Sequence, residues 1–348
     1  MLNNWMLKGE SERKMNKKIN SQVLLIDMKE AAYEECIDRL LKLDKNNKHV
    51  ELTYNLEFLT PFIGVLVASY LNNNTFKVET KIGTIGKKSQ GYAKHCNFFH
   101  FAENSQNFSE RNTNYSGRYT PIMKSILTDY YRGSDNIVES ISNKIATVLS
   151  CGINDIRSMF EYIIFEMVRN IPEHSHSFNA WHFSQVWRKE QYIEAEFSLI
   201  DYGIGFKESL NFKGERFLDS DCEALELALK PGITSGIVED FKLRENEEKE
   251  YLNSGYGLYM ITELCKRLQG EYIIISKSAI ARNGKVESLT KNKVFPGTAI
   301  KIKIRIPNGF TNTAFKDMLK EIADLGEKES RGIRGAIKEA SSKSRGLV

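Results

Sequence analysis

A glutamate and an asparagine four residues apart on a helix stand one turn above each other on one face, and Phe165-Glu166-Met167-Val168-Arg169-Asn170 has that spacing. Such a pair can hold a hydrated divalent cation and an attacking water together. Magnesium keeps several waters and takes few protein ligands, so the Asn170 oxygen and the phosphates of a nucleotide suffice to bind it. Glu166 is then the candidate general base. A second group, Asp201-Tyr202-Gly203-Ile204-Gly205, directly follows an alternating strand. Its carboxylate can accept a hydrogen bond from an exocyclic amine, and Gly203 and Gly205 let the backbone pass close to a flat ring. Third, Ser254-Gly255-Tyr256-Gly257-Leu258 opens a helix, whose free backbone N–H groups can meet phosphate oxygens. Gly297-Thr298 begins the last strand pattern. Taken singly, each of these is a common surface pair, turn or cap.

The elements that must position these residues are legible in the apolar spacing. Ile137, Ile141, Ile145 and Val148 mark one helix, and Ile156, Phe160, Ile163, Ile164, Met167 and Val168 mark the helix that carries Glu166 and Asn170. Two antiparallel strands follow, Ala180 to Trp187 and Tyr192 to Ile200. The second alternates Ile193, Ala195, Phe197 and Leu199 with Glu194, Glu196 and Ser198. A helix near Cys222 to Leu229, a loop from Pro231 to Gly255 and a helix from Leu258 to Leu268 come next. Strands at Tyr272 to Ser276 and from Thr298 follow, the latter alternating Ile300, Ile302, Ile304 and Ile306 with Lys301, Lys303 and Arg305. Such period-two order predicts one buried and one solvated face. Residues 312–326 read as an amphipathic helix ending at Gly326.

Taken in order, the four motifs resemble the GHKL ATPase superfamily of gyrase, the heat-shock chaperone, histidine kinases and MutL, over residues 135–308. The resemblance implies ATP and Mg²⁺ as cofactors, with Asn170 on the metal and Glu166 as base. It implies that Asp201 reads the adenine amine, with Gly203 and Gly205 in its loop and Gly205 lining the pocket. Gly255, Tyr256, Gly257 and Leu258 stand at the phosphates and the hinge of an ATP lid spanning about 233–254, and Thr298 supports the adenine side. The implied fold is a Bergerat-type α/β sandwich, a mixed sheet with helices on one face.

The chain departs from the pattern in places. Pro172 lies just beyond Asn170 and is expected to disturb the helix, since it lacks an N–H and crowds the Val168 carbonyl. The lid stretch is acidic (Glu239, Asp240, Glu245, Glu247, Glu248, Glu250), with Lys242, Arg244 and Lys249 as candidate γ-phosphate contacts. His174 can join the site; with His176 it has metal-pair spacing, but no third ligand is indicated and solvated or hydrogen-bonded histidines are the better reading. Arg169 faces either phosphate or a nearby acid.

Residues 21–110 alternate strand and helix patterns, with a buried helix at Phe62 to Leu71, and favour a parallel or mixed sheet. The stretch Leu56 to Gly64 faintly resembles a STAS domain, the fold of anti-anti-sigma factors. Thr60 is the only hydroxyl near the position of that family's phosphorylated residue, so docking or dimerisation is expected instead. The domain plan is thus an extension at 1–20, the STAS-like unit at 21–110, an Asn- and Ser-rich linker at 111–134, the ATP-binding unit at 135–308 and a C-terminal helix with a basic tail at 309–348.

Composition frames these readings. With 41% hydrophobic and 27% charged residues in 348, the chain has an ordinary globular balance. A net charge of +4 on 49 basic and 45 acidic residues implies no global attraction to nucleic acid or membrane, leaving only the basic tail, expected as a flexible solvated end. Five cysteines without CxxC spacing argue against a disulfide framework. No secretory h-region or bilayer-length apolar run is visible, so a cytoplasmic location is expected. No histidine lies between Thr120 and Glu166, which disfavours two-component autophosphorylation. The expected function is an ATPase switch that reports nucleotide state to a protein partner, itself of STAS-like type on one reading, with homodimer formation left open. The alternatives are a protein Ser/Thr kinase of the anti-sigma-factor type and a nucleotide-gated scaffold without turnover.

Overall fold

The computed structural model describes residues 21–27, 33–104, 117–131, 136–212, 216–235, 254–290 and 293–346. Three short strands, Gln22–Ile26 (β1), His49–Tyr54 (β2) and Lys77–Ile82 (β3), pair in parallel in that order, with Leu24 opposite Leu52 and Val50 opposite Val78. Parallel neighbours need crossovers, supplied by Tyr33–Leu41 (α1) and Pro61–Asn73 (α2). Helix α1 buries one stripe, Cys36, Ile37 and Leu40, as an amphipathic helix does. Helix α2 is different, for every residue from Pro61 to Leu71 is buried. Pro61 starts it, where a missing N–H costs nothing. Helices Gly86–His95 (α3) and Phe98–Ala102 (α4) complete this unit.

The strand Tyr119–Ile126 (β4) and the short helix Thr128–Tyr131 (α5) lie within the stretch read as a linker. Strand β4 is an edge of the large sheet. Its Thr120 Oγ1 meets Ser184 Oγ at 2.8 Å, and Ile122 is fully buried. Then come Asn136–Leu149 (α6), Asn154–Asn170 (α7), a π turn at Ile171–Ser175, the strands Asn179–Arg188 (β5) and Tyr192–Asp201 (β6), and the helices Gly205–Asn211 (α8), Asp221–Ala228 (α9) and Gly257–Arg267 (α10). Strands Glu271–Ser276 (β7), Ala279–Arg282 (β8), Lys285–Ser288 (β9) and Thr298–Pro307 (β10) precede the helix Asn312–Ser330 (α11).

The seven-stranded sheet runs β4-β5-β6-β10-β7-β8-β9. The expectation of a mixed sheet is corrected here: all its pairs among the described residues are antiparallel. Short connections account for three of these pairs, β5 with β6, β7 with β8 and β8 with β9, because a tight hairpin joins only antiparallel strands; the others are brought together over longer segments. At Asn283-Gly284 both residues have positive φ, 48° and 94°, the geometry of a hairpin turn that matches strand twist.

Helices α6, α7, α10 and α11 cover one face, packing on Ala195, Phe197, Leu199, Ile274, Ile300, Ile302, Ile304 and Ile306. The opposite face of β6 and β10 was expected to be solvated, and it is not. Trp181, Phe183, Ile200, Ile273, Ile275 and Ala299 form one buried cluster with α2 and the strands of the parallel sheet. Glu194, Glu196 and Lys301 on this face are buried and paired, while Arg305 stays half exposed at its edge. The Phe62 N–H at the start of α2 donates to Glu196 Oε1 at 3.1 Å, Lys301 pairs with Glu271 at 2.6 Å, and Lys303 and Arg305 both reach Glu194 at 3.1 Å. From β8, Arg282 donates to the Tyr33 hydroxyl at 2.6 Å and tethers α1.

Two further expectations change. Helix α11 does not stop at Gly326, which instead allows close packing: a Cβ there would lie 2.6 Å from the Tyr259 ring. The tail is not a free solvated end either. Ala336, Ala340 and Ser344 are buried, the Ile337 N–H donates to the Gly232 carbonyl at 2.8 Å, and Lys338 donates to the carbonyls of Ser330 and Ile333. No described helix is long and apolar enough to cross a membrane.

Candidate functional site

Asn170 closes α7, and its surroundings depend on how the chain passes Pro172. The interruption expected there takes the form of the π turn, which absorbs the missing donor and ends at His176 in the left-handed region, φ 56°. Wide turns of this kind are often found at functional sites. The turn aims the Ser175 carbonyl at the Ile204 N–H, 2.9 Å away, and so ties the Asn170 helix to the loop after β6.

Asp201 ends β6 opposite Thr298, the first residue of β10. Its Oδ1 accepts from the Gly203 N–H at 2.8 Å, and the nearby hydroxyls of Ser175 and Thr298 favour the ionised carboxylate. Burial pushes this carboxyl up to about 6, against the pull of those donors and of Lys277. Gly203 is required where it stands, since a Cβ would lie 2.0 Å from the Ser175 carbonyl oxygen. Lys277 Nζ donates to the Gly203 carbonyl at 2.8 Å, a contact no sequence signal announced.

One cleft gathers most of the predicted residues. Asn170 comes from the end of α7, Asp201 and Thr298 from adjacent strand ends, Gly205 from the start of α8, and Gly255, Gly257 and Leu258 from the entry to α10. Its floor is apolar, with Met167, Leu199, Phe206, Leu210 and Ile300. Flat apolar walls with a few convergent polar groups are the usual composition of a small-molecule site.

Three predicted residues stand elsewhere. Gly203 lies behind the cleft against Ser175. The Tyr256 side chain turns away altogether: it is buried, and its hydroxyl donates to Ser330 Oγ at 3.1 Å and to the Ile337 carbonyl at 3.3 Å, so the phenol holds the tail while its neighbours Gly255 and Gly257 line the cleft. Glu166 is half-buried behind Gly257, and a Cβ on Gly257 would fall 2.5 Å from Glu166 Oε2. Burial raises the Glu166 carboxyl, opposed by the charges of Arg169 and of Lys343 from the tail. Lys343 Nζ lies over the Phe165 ring, and burial holds that amine down at about 8.

Of the two roles open to Arg169, pairing with an acid is the one seen. It bridges to Glu173, which also accepts from the Tyr130 hydroxyl at 2.7 Å. Burial alone would push the Glu173 carboxyl up, but Arg169, His174 and that hydroxyl outweigh it and hold it below the usual range. His174 does line the cleft, its Nδ1 2.9 Å from Ser235 Oγ, with burial holding the imidazole below its ordinary value. His176 packs edge-on to Phe212 instead, and the described residues contain no cluster of metal-ligating acids, histidines and cysteines.

Sequence reasoning missed Phe206, Ser209, Thr234 and Ser235 in the cleft wall. Phe206 and Ser209 sit one and four residues after Gly205, on the helix that the glycine opens, which was a readable hint. Thr234 and Ser235 carried none. The central part of the expected lid, with Lys242, Arg244, Lys249 and the acidic residues, lies outside the described residues, as does the extension at 1–20. Its roots are described, and the tail holds one of them: Arg216 donates to the carbonyls of Thr234 and Gly335, each at 2.8 Å.

Compared with known proteins, the chain matches no family model, no curated protein and no solved structure.

Proposed function

We propose that the chain binds an adenine nucleotide with magnesium in this cleft, in the manner of a GHKL-type site, and acts as a nucleotide-dependent switch. The observation that carries the reading is the convergence of Asn170, Asp201, Thr298 and the Gly255 to Leu258 helix entry, from four separate elements, on one cleft. Asp201 accepts from the base amine, Gly205 leaves room beside the ring, and the backbone N–H groups at the start of α10 receive phosphate oxygens. The donor set fits magnesium: among the described residues a single carboxamide, Asn170, faces the cleft with no acidic cluster beside it, which suits an ion that completes its shell with water and phosphate. Bound there, the metal would supply charge neutralisation to the phosphates.

Glu166 decides whether phosphate leaves. Its raised carboxyl suits a base, yet it stands behind Gly257 rather than on the cleft wall. That placement favours a second reading, a nucleotide-gated scaffold without turnover. Calorimetric titration of the full chain with ATP, with and without magnesium, tests the first claim. Binding is expected to need the metal and to vanish in Asn170→Ala; equal binding by that variant overturns the site. Single-turnover phosphate release then separates the two readings, since Glu166→Gln abolishes release only if Glu166 is the base.

A further inference from the structure

Asp201 ends β6 and Tyr202 follows it, and the two side chains go to opposite faces of the sheet. Asp201 enters the cleft. Tyr202 enters the second face, where its hydroxyl lies 2.9 Å from Ser69 Oγ on α2 and its ring packs near Phe295 at 6.0 Å. Ser69 is fully buried and also donates to the Leu66 carbonyl at 3.4 Å, so its hydroxyl is placed by the helix itself.

The backbone between the two side chains has little slack. On one side Gly297 packs so closely that a Cβ would lie 2.0 Å from the Asp201 carbonyl oxygen and 2.7 Å from the Tyr202 Cα. On the other, Gly203 is pressed against Ser175 and its carbonyl is held by Lys277. A rotation or shift of Tyr202 is therefore passed to Asp201 rather than absorbed. Helix α2 is itself anchored to β6 through the Phe62 N–H and Glu196. Hydrogen bonds weaken steeply with angle, so a carboxylate that reads an amine gains from being held in one orientation.

We propose that Ser69 is a positioning residue for the base-reading carboxylate of Asp201, acting through Tyr202, so that the N-terminal unit helps set which base the cleft accepts. This rests on the nucleotide-site reading above. The pair that decides it is ATP and inosine triphosphate, which share the triphosphate and differ at the purine position where ATP carries the amine. A purely structural role for Ser69 would weaken both alike.

The full chain, Ser69→Ala and Tyr202→Phe are titrated with each nucleotide in the presence of magnesium. The wild type is expected to prefer ATP. Each variant should lose about 3- to 10-fold in ATP affinity, the worth of one buried hydrogen bond, and keep inosine triphosphate affinity within about twofold. Because both substitutions break the same bond, the double variant should lose no more than either single one. Tyr202→Phe retains the packed ring and keeps the test valid should Ser69→Ala disturb α2. Parallel loss of both nucleotides, or no loss of either, overturns the assignment. A wild type that binds neither overturns the nucleotide reading itself, and this assignment with it.

Discussion

The two faces of the seven-stranded sheet are covered by opposite means. On one, amphipathic helices lay apolar stripes over a continuous row of Ile and Leu, and the cleft opens at the strand ends. On the other, a helix apolar on every side descends onto a surface that mixes Trp181 and Phe183 with Glu194, Glu196 and Lys301. The first arrangement needs only hydrophobic burial. The second buries charges, which is tolerable because each has a partner: a helix N-terminus for Glu196, Glu271 for Lys301, Lys303 and Arg305 for Glu194. Paired polar groups also define position, and this face is where α2 meets the loop after β6.

The comparison breaks most visibly at the largest side chains. Trp181→Ala on the second face and Phe160→Ala on the first should each cost about 3–5 kcal/mol in urea denaturation, with a single cooperative transition in both variants. If α2 merely docked on a finished sheet, Trp181→Ala would split the transition in two and leave the main one in place. A smaller effect sharpens the polar half of the comparison. Glu196→Ala leaves the Phe62 N–H buried without its acceptor and should cost about 1–3 kcal/mol, whereas Glu196→Gln retains an acceptor and should cost less. Equal losses would mean that packing rather than pairing holds α2.

The smallest effect concerns pH at the junction of the two faces. Asp201 titrates at about 6 in the folded chain, above its value of about 4 when unfolded, so the folded state holds the proton more tightly. Its contribution to stability is full below about pH 4 and is lost as pH rises through about 6. For the proposed nucleotide site the expectation runs the other way, because an ionised carboxylate is the better acceptor for an amine. ATP affinity should fall by up to about tenfold per pH unit below 6 in the wild type. Asp201→Asn should flatten both dependences, and a profile unchanged by that substitution would remove Asp201 from base reading.

Much of the cleft was readable because its chemistry sits in short local patterns. Asn170 at the end of an amphipathic helix, Asp201 at a strand end and the glycines before α10 each need only neighbours in the chain to be recognised, whereas Glu166 at the same helical spacing stands outside the cleft, behind Gly257. What failed shows the limit of local patterns. Nothing in Gly255-Tyr256-Gly257 says that the phenol faces Ser330 rather than the cleft, because that depends on where the tail returns. The tail itself looked solvated by composition, although Ala336, Ala340 and Ser344 are covered. The hairpin of β8 and β9 was signalled by Asn283-Gly284, whose positive φ angles suit that turn, and went unread because its strands are only four residues each.

By itself the sequence determined most of the segments that become helices and strands on the cleft side, the short helix α8 excepted, and which residues there can carry chemistry, since periodicity and backbone freedom are local properties. The tertiary structure alone decided that Glu194, Glu196 and Lys301 are buried rather than wet. An alternating strand shows the same pattern whether its polar face meets water or a helix that brings partners for the charges, and only the arrival of α2 distinguishes the two. The same packing set Ser69 against Tyr202 across 133 residues of chain, a contact that no spacing within the sequence encodes.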